Sequence, residues 1–130
     1  MKVTPFLMFE GQAEEAMTLY CDTVPESRVV DVTRYGAGED GPEGTLKLAR
    51  VLIGGTEVMV FNSPAHHAFS FTPSFSLFVD CSSEHELDRI VGVLAEDGAL
   101  LMPTDDYGFS RRFAWLNDRF GVSWQINLPA

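Results

Sequence analysis

Hydrophobic and polar positions follow an order along the chain that repeats once. An apolar run at 4–10 predicts a first strand, and apolar residues at 13, 16, 17 and 20 have the spacing of a helix that ends before Pro25. Segments at 28–35, 45–53 and 56–61 predict three further strands, and Gly54-Gly55 predicts a hairpin turn between the last two. The first half of the chain therefore predicts one β-α-β-β-β module.

The same order returns in the second half. A strand is predicted at 74–80, a helix at 84–96 closed by Asp97-Gly98, and extended segments at 99–105, 111–116 and 122–128. The apolar helix positions of the first half correspond to 87, 90, 91 and 94, and the strand at 6–10 corresponds to 76–80. We therefore predict a single α+β domain over 1–130, with modules at 1–62 and 72–130 joined by a connector at 63–71.

Alternation along the strands predicts two different sides for each sheet. The side predicted to pack against the helices is apolar and carries Pro5, Leu7, Phe9, Val58 and Val60 in the first module, and Phe75, Leu77, Val79, Val122, Trp124 and Ile126 in the second. The other side mixes polar and aromatic residues, as is typical of a sheet that lines a ligand site. The alternative is that the other module or a partner chain covers it.

This mixed side supplies most candidate ligand-binding residues. They are Thr4, Phe6, Met8, Met59, Phe61, Ser74, Ser76, Phe78, Ser123 and Gln125. Trp115 is a further candidate from a strand of less certain register. Arg34 is a candidate for binding a carboxylate or phosphate, as are Arg111 and Arg112, although surface ion pairs with the many acids are the alternative.

Composition limits the classes of partner. The 130 residues carry a net charge of −10, which disfavours nucleic acid and anionic membrane surfaces. No apolar run approaches the roughly 20 residues of a membrane helix, and the first residues lack the layout of a signal peptide, so we expect a cytoplasmic protein. Cys21 and Cys81 match no zinc or redox spacing and are expected to be structural.

Three segments resemble the vicinal oxygen chelate superfamily, which includes glyoxalases, extradiol dioxygenases, fosfomycin-resistance enzymes and bleomycin-binding proteins. They are Thr4-Pro5-Phe6-Leu7-Met8-Phe9-Glu10-Gly11-Gln12-Ala13-Glu14-Glu15-Ala16, Val32-Thr33-Arg34-Tyr35-Gly36, and Trp115-Leu116-Asn117-Asp118-Arg119-Phe120-Gly121-Val122-Ser123-Trp124-Gln125. More narrowly, the chain resembles the PhnB-like branch, often labelled 3-demethylubiquinone-9 3-methyltransferase-like. The resemblance implies a glyoxalase-like fold, in which two βαβββ modules form a cupped mixed sheet with helices on its outer face, and it implies a homodimer.

The resemblance also implies where metal ligands would lie, on the first and last strands of each module. Those positions correspond to Thr4, Met59, Ser74 and Gln125. Two hydroxyls, a thioether and an amide are poor ligands for a divalent cation, which prefers imidazole, carboxylate or thiolate. We therefore predict no metal and no cofactor, which puts the metal-dependent chemistry of the superfamily in doubt.

No other constellation replaces the metal. His66 and His67 fall in the connector and are expected to be solvated, and no nucleophile is paired with a base. Methyl transfer is weakly supported, because no glycine-rich loop joins a strand to a helix. The leading hypothesis is a metal-independent protein that binds a small molecule. The alternatives are a glyoxalase-like lyase, isomerase or transferase with an atypical site, and a non-catalytic dimeric interaction protein.

Overall fold

The computed structural model describes residues 1–130 and divides them into two compact units, residues 1–68 and 69–130. The first unit contains β1 (Phe6–Phe9), α1 (Ala13–Thr23), β2 (Arg28–Arg34), β3 (Leu46–Ile53) and β4 (Thr56–Asn62). Its four strands form one sheet in the order β1-β4-β3-β2, with β1 parallel to β4 and the other pairs antiparallel. The first βαβββ module is therefore confirmed.

The second unit repeats this topology. It contains β5 (Ser76–Asp80), α2 (Glu84–Leu94), β6 (Ala99–Asp105), β7 (Arg112–Asn117) and β8 (Ser123–Leu128). Its strands run in the order β5-β8-β7-β6, again with one parallel pair, β5 with β8. Two helices with two mixed four-stranded sheets confirm the α+β class.

The hydrophobic cores lie between each helix and its own sheet. In α1 the residues at 13, 16, 17 and 20 are buried, and in α2 those at 87, 90, 91 and 94 are buried, as their spacing predicts. Leu7, Val58 and Val60 pack on the helix side of the first sheet, and Trp124 and Ile126 on that of the second. Burial of this apolar area is the main force that fixes which side of each strand faces its helix.

Two turns depend on glycine. Gly54 and Gly55 have φ values of 57° and 83°, so both central residues of the β3–β4 hairpin adopt the left-handed conformation that a two-residue turn of type I′ requires. At Gly98, before β6, a Cβ atom would lie 2.1 Å from the carbonyl oxygen of Asn117. The backbone of β7 therefore excludes any side chain there.

Several sequence-based boundaries were wrong. The first strand begins at Phe6 instead of residue 4, and α2 ends at Leu94 instead of residue 96. β5 begins at Ser76, so Ser74 and Phe75 precede it, and Phe75 is 59% exposed instead of packing against α2. Strand β5 lies at the edge of its sheet, where fewer neighbours are available to bury its first residues.

Candidate functional site

The side of the first sheet that faces away from α1, here called the first open face, carries two rows of residues across all four strands. Strand pairing places the members of each row side by side. The rows are Phe6, Met59, Arg50 and Asp31, and Met8, Phe61, Leu48 and Thr33. The Phe6 and Phe61 rings lie 5.6 Å apart, and Phe6 is 52% exposed. This face is apolar near β1 and charged near β2.

Arg50 of this face is paired with a carboxylate of the neighbouring strand. Glu57, at the start of β4, accepts from Lys2 Nζ at 2.7 Å and from Arg50 Nη1 at 2.8 Å. The hydrogen bond from Lys2 does most to lower the pKa of Glu57, and Arg50 adds to it. Glu57 therefore neutralises Arg50 of the same face, and its own charge is already paired.

The side of the second sheet that faces away from α2, the second open face, carries three rows. They are Ser76, Ser123, Asn117 and Ala99; Phe78, Gln125, Trp115 and Met102; and Asp80, Asn127, Phe113 and Asp105. The row of Trp115 is the central one, which settles the strand register that the sequence left open. This face therefore mixes polar residues with three aromatic ones, Phe78, Trp115 and Phe113.

A short hydrogen-bond chain fixes one corner of the second open face. The Ser76 and Ser123 hydroxyls lie 2.7 Å apart, and Trp115 Nε1 donates to Ser123 Oγ at 2.9 Å. Ser123 is 1% exposed, so its hydroxyl needs these partners. The chain holds the Trp115 ring in one orientation next to Gln125.

Nine of the twelve predicted site residues lie on the open face of their own sheet. The first open face holds Phe6, Met8, Met59 and Phe61, and the second holds Ser76, Phe78, Ser123, Gln125 and Trp115. Whether they bind a ligand stays a prediction. Thr4 and Ser74 precede their strands, and Ser74 Oγ shares a hydrogen bond with Thr72 Oγ1 at 2.7 Å.

Arg34 does not lie on an open face, which corrects its expected placement. It pairs in register with the buried Leu46, and both terminal nitrogens of its guanidinium bind the Glu14 carboxylate of α1, at 3.0 and 2.7 Å. This ion pair lowers the pKa of Glu14. Arg112 likewise turns to the helix side and binds Asp88 of α2 at 2.8 Å. The alternative of a surface ion pair is therefore correct for both arginines.

Sequence reasoning missed the residues that β3 and β7 add to the two faces. Arg50 and Leu48 come from β3, and Phe113 and Asn117 from β7. Alternation along β3 and β7 is visible in the sequence. It does not show which of their residues lie on the open faces until the register of β3 against β4 and of β7 against β8 is known. Asp80 was also missed, although its parity matches that of Phe78, and Asn127 was expected on this side of the sheet but was not among the candidate ligand-binding residues.

Metal-ligating side chains do not converge in this structure. No group of three or more His, Cys, Asp or Glu residues could hold a metal ion. His66 Nδ1 instead lies 2.7 Å from a Glu10 carboxylate oxygen, and this contact lowers the pKa of Glu10. His67 Nε2 lies 2.9 Å from Ser63 Oγ. Met59 and Gln125 do lie on open faces, but their side chains are a thioether and an amide; metal independence itself stays a prediction.

No helix in the structure is both long and apolar enough to cross a membrane. Both cysteines are free thiols.

Comparison with known proteins now decides the family. A family model described as 3-demethylubiquinone-9 3-methyltransferase matches residues 1–127. The chain belongs to this family. The PhnB protein of Bacillus cereus is 48% identical and superimposes with a TM-score of 0.94, covering 98% of this chain and 99% of its own. Protein YjdN of Escherichia coli (strain K12) is 25% identical over 141 residues, which cover 98% of this chain and 95% of its own.

More distant structures share the fold alone. A glyoxylase/bleomycin resistance protein/dioxygenase domain from Frankia sp. EAN1pec is 15% identical, with a TM-score of 0.70 over all of this chain and 98% of its own. This 3-demethylubiquinone-9 3-methyltransferase family member is therefore PhnB-like, as the sequence motifs implied, and it shares the fold of the glyoxylase/bleomycin resistance protein/dioxygenase domain.

In this family member a side-chain oxygen binds backbone amides at the start of each helix. Asn62 Oδ1 accepts from the amides of Gly11 and Ala13 at 3.0 and 2.9 Å, and Ser83 Oγ accepts from the amide of Glu86 at 3.1 Å. An anionic group of a cofactor would bind such amides if they were available. These three amides are therefore already bonded to side chains of the chain itself.

Proposed function

We propose that this protein binds a small organic molecule on the second open face. The observation that carries the proposal is the central row of that face, where Gln125 lies between the rings of Phe78 and Trp115. Phe78 is 55% exposed although it belongs to a strand. An amide flanked by aromatic rings can fix the orientation of a bound molecule while the rings supply apolar contact.

We further propose that binding needs no metal. The side chains at the positions that correspond to superfamily ligands are neutral, and the nearby carboxylate Glu57 is engaged by Lys2 and Arg50. Metal analysis of protein purified without chelators should find less than about 0.1 ion per chain, because neutral hydroxyl, thioether and amide groups bind dications weakly. A stoichiometric ion that survives dialysis would contradict this part of the proposal.

A homodimer in the cytoplasm completes the proposal. Strand β2 is an edge strand whose seven residues are all exposed, among them Val29, Val30 and Val32 at 37–41%. Exposed apolar residues on an open edge favour a partner strand or surface. Light scattering after gel filtration should give twice the 14.4 kDa mass of the chain. A monomer at micromolar concentration would contradict it.

Trp115 offers a direct test of ligand binding. It lies on the second open face, whereas Trp124 is fully buried, so a ligand on that face should change the emission of Trp115. We would screen a chemically diverse set of cationic, neutral and anionic aromatic compounds by fluorescence and by thermal shift. For any compound that binds, Gln125→Ala should weaken the affinity about tenfold, the loss of roughly one hydrogen bond.

The chain supplies a matched control for this experiment. Gln12 is exposed and makes no capping hydrogen bond with its side chain, so Gln12→Ala should leave the affinity unchanged. In Trp115→Phe the emission change should disappear while the thermal shift remains. If no compound in the set changes either signal, or if Gln12→Ala and Gln125→Ala behave alike, the second open face is not the binding site.

Methyl transfer is a second candidate, favoured by the description of the matching family alone. It would require the chain to bind a methyl donor. Titration of S-adenosylmethionine while Trp115 emission is recorded would detect such binding. We expect no methyl transfer; part of each helix N-terminus is already occupied, since Asn62 binds the Gly11 and Ala13 amides and Ser83 binds the Glu86 amide.

A further inference from the structure

Four aromatic rings gather at the end of the second open face where β7 begins. Phe113 lies 6.3 Å from Phe78, 6.2 Å from Tyr107 and 5.0 Å from Phe109, measured between ring centroids. Phe113 is buried, but Phe78, Tyr107 and Phe109 are 39–60% exposed. Three rings therefore present accessible surface around a fourth that supports them. This group is called the aromatic cluster below.

Carboxylates lie at both ends of the row that contains Phe113. Asp80 on β5 and Asp105 on β6 are exposed, and they are the only ionisable residues in the three rows of the second open face. Four neighbouring strands separate the row ends by about 14 Å between Cα atoms. That width suits a small molecule lying between two negative charges better than a single bound ion.

Asn127 adds a hydrogen-bond acceptor between those charges. Its side chain is 7% exposed, and its Nδ2 donates to Asp80 Oδ1 at 2.9 Å. This bond fixes the orientation of the Asn127 amide. Its other polar atom, Oδ1, is buried and accepts no hydrogen bond from the protein. A buried amide oxygen without a donor is unfavourable until a donor reaches it.

We propose that the second open face selects an organic cation, such as an alkylammonium or methylated ammonium group, bound against the aromatic cluster. This inference rests on the proposed function and names the chemical class of its ligand. A positive group is attracted to the faces of aromatic rings within about 6 Å and to the carboxylates on either side. An N–H donor on the same ligand would satisfy Asn127 Oδ1.

Two features of the second open face would instead suit an anionic ligand or a second copy of the chain, and the experiment has to distinguish these cases. Arg111 is exposed and immediately precedes β7, so an anionic ligand could pair with it. The exposed rings of Phe78 and Phe109 could instead pack against a second copy of the chain. The charge of the rows themselves favours the cation, because both ionisable residues within them are acids.

Three small probes of similar size separate these cases: benzyltrimethylammonium, benzyl alcohol and benzenesulfonate. Affinity would be measured by isothermal titration and by Trp115 emission at low and high salt. We expect the cation to bind at least about tenfold more tightly than the neutral alcohol, and benzenesulfonate to bind more weakly than either. Raising the salt should weaken only the cation.

Single substitutions test which residues of the second open face produce the preference for a cation. Asp80→Asn keeps an oxygen that can accept from Asn127 but removes the charge, so cation affinity should fall about fivefold while that of benzyl alcohol is unchanged. Phe109→Leu keeps an apolar group without a ring face and should weaken the cation about threefold or more. Asp88→Asn, on the helix side of the same unit, is the matched control and should change neither affinity.

The failures are distinguishable. If benzenesulfonate binds as tightly as the cation, or Arg111→Gln abolishes binding of all probes, the cation assignment is overturned while small-molecule binding stands. If Phe109→Leu turns a dimer into a monomer and exposes no probe site, the aromatic cluster is an interface between copies and the assignment is also overturned. If the three probes and the diverse compound set all leave Trp115 and the melting temperature unchanged, the cation assignment and the proposed function both fall.

Discussion

Asp118, in the β7–β8 turn, is a buried residue whose carboxylate accepts three hydrogen bonds. It is 2% exposed, and its Oδ1 accepts from the amides of Phe120 and Val122 at 2.8 and 3.0 Å. Its Oδ2 accepts from Trp124 Nε1 at 2.9 Å. One carboxylate therefore closes the turn and fixes the largest fully buried side chain of the second unit.

We predict that Asp118→Ala lowers the free energy of unfolding by about 2–4 kcal/mol, because it leaves three donors without an acceptor. Asp118→Asn should recover part of the loss, since its one oxygen can still serve the two amides while its NH2 group meets the Trp124 donor. Urea unfolding followed by Trp124 emission measures both. Asp22→Ala, on the exposed side of α1, is the control; an equal loss there would refute the role of Asp118.

Cys81 follows β5 and is buried, and burial raises the pKa of its thiol to about 11. At pH 8 roughly one thiol in a thousand is then ionised, and only the thiolate reacts with iodoacetamide. We predict that the native protein resists labelling at Cys81 for hours and is labelled within minutes in urea. Mass spectrometry of digested samples distinguishes Cys81 from the half-buried Cys21. Fast native labelling at Cys81 would contradict the prediction.

Of the two helices, α2 has the more clearly defined N-terminus, because its N-cap side chain accepts a backbone hydrogen bond and that of α1 does not. Its N-cap is Ser83, whose Oγ accepts from the Glu86 amide at 3.1 Å. We predict that Ser83→Ala lowers the free energy of unfolding by about 1 kcal/mol. Ser82→Ala is the matched control, because its hydroxyl makes only a 3.4 Å exposed contact with Glu86. If urea unfolding shows equal losses, the cap assignment is wrong.

The repeat between the modules could be predicted from sequence, but its alignment could not. Strand pairing places Phe6 next to Met59 and Phe78 next to Gln125, so Phe6 corresponds to Phe78 and not to Ser76. The error of two residues is a full strand period, which is why the assignment of sides survived it. Helix periodicity gave the correct buried positions, because a helix forms its hydrogen bonds within one segment.

The whole candidate site was harder to predict than the fold. Residues on β1, β4, β5 and β8 were assigned from alternation alone. Those on β3 and β7 depend on the register between strands, which long-range pairing determines and local pattern does not. The sequence left the side of Arg34 open; because Thr33 lies on the first open face, alternation along β2 turns Arg34 towards α1, where it binds Glu14. The aromatic cluster takes Phe78 from β5, Phe113 from β7, and Tyr107 and Phe109 from the loop between β6 and β7. No periodicity in the sequence relates residues of these three segments.

For the whole molecule, pH should act through the ion pairs that partly offset the net charge of −10. Four carboxyl groups have pKa values below the ordinary 4.5, because each accepts a hydrogen bond from a basic side chain. The pairs are Glu10 with His66, Glu14 with Arg34, Glu39 with Lys47, and Glu57 with Lys2. A lowered pKa in the folded state adds stability that is fully present above the unfolded value. That stability is lost as the pH falls through the folded pKa values.

We therefore predict that the free energy of unfolding is flat from pH 7 to about pH 5 and declines below about pH 4.5, where the unfolded chain takes up protons more readily than the folded one. Urea unfolding at dilute concentration measures this without precipitation near the isoelectric point of about 4.5. Glu14→Gln should make the decline shallower, because it removes a carboxylate bound to Arg34. Glu15→Gln, its exposed neighbour on α1, should leave the slope unchanged. Stability that rises on acidification, or an equal effect of both variants, would show that these ion pairs do not control the pH response.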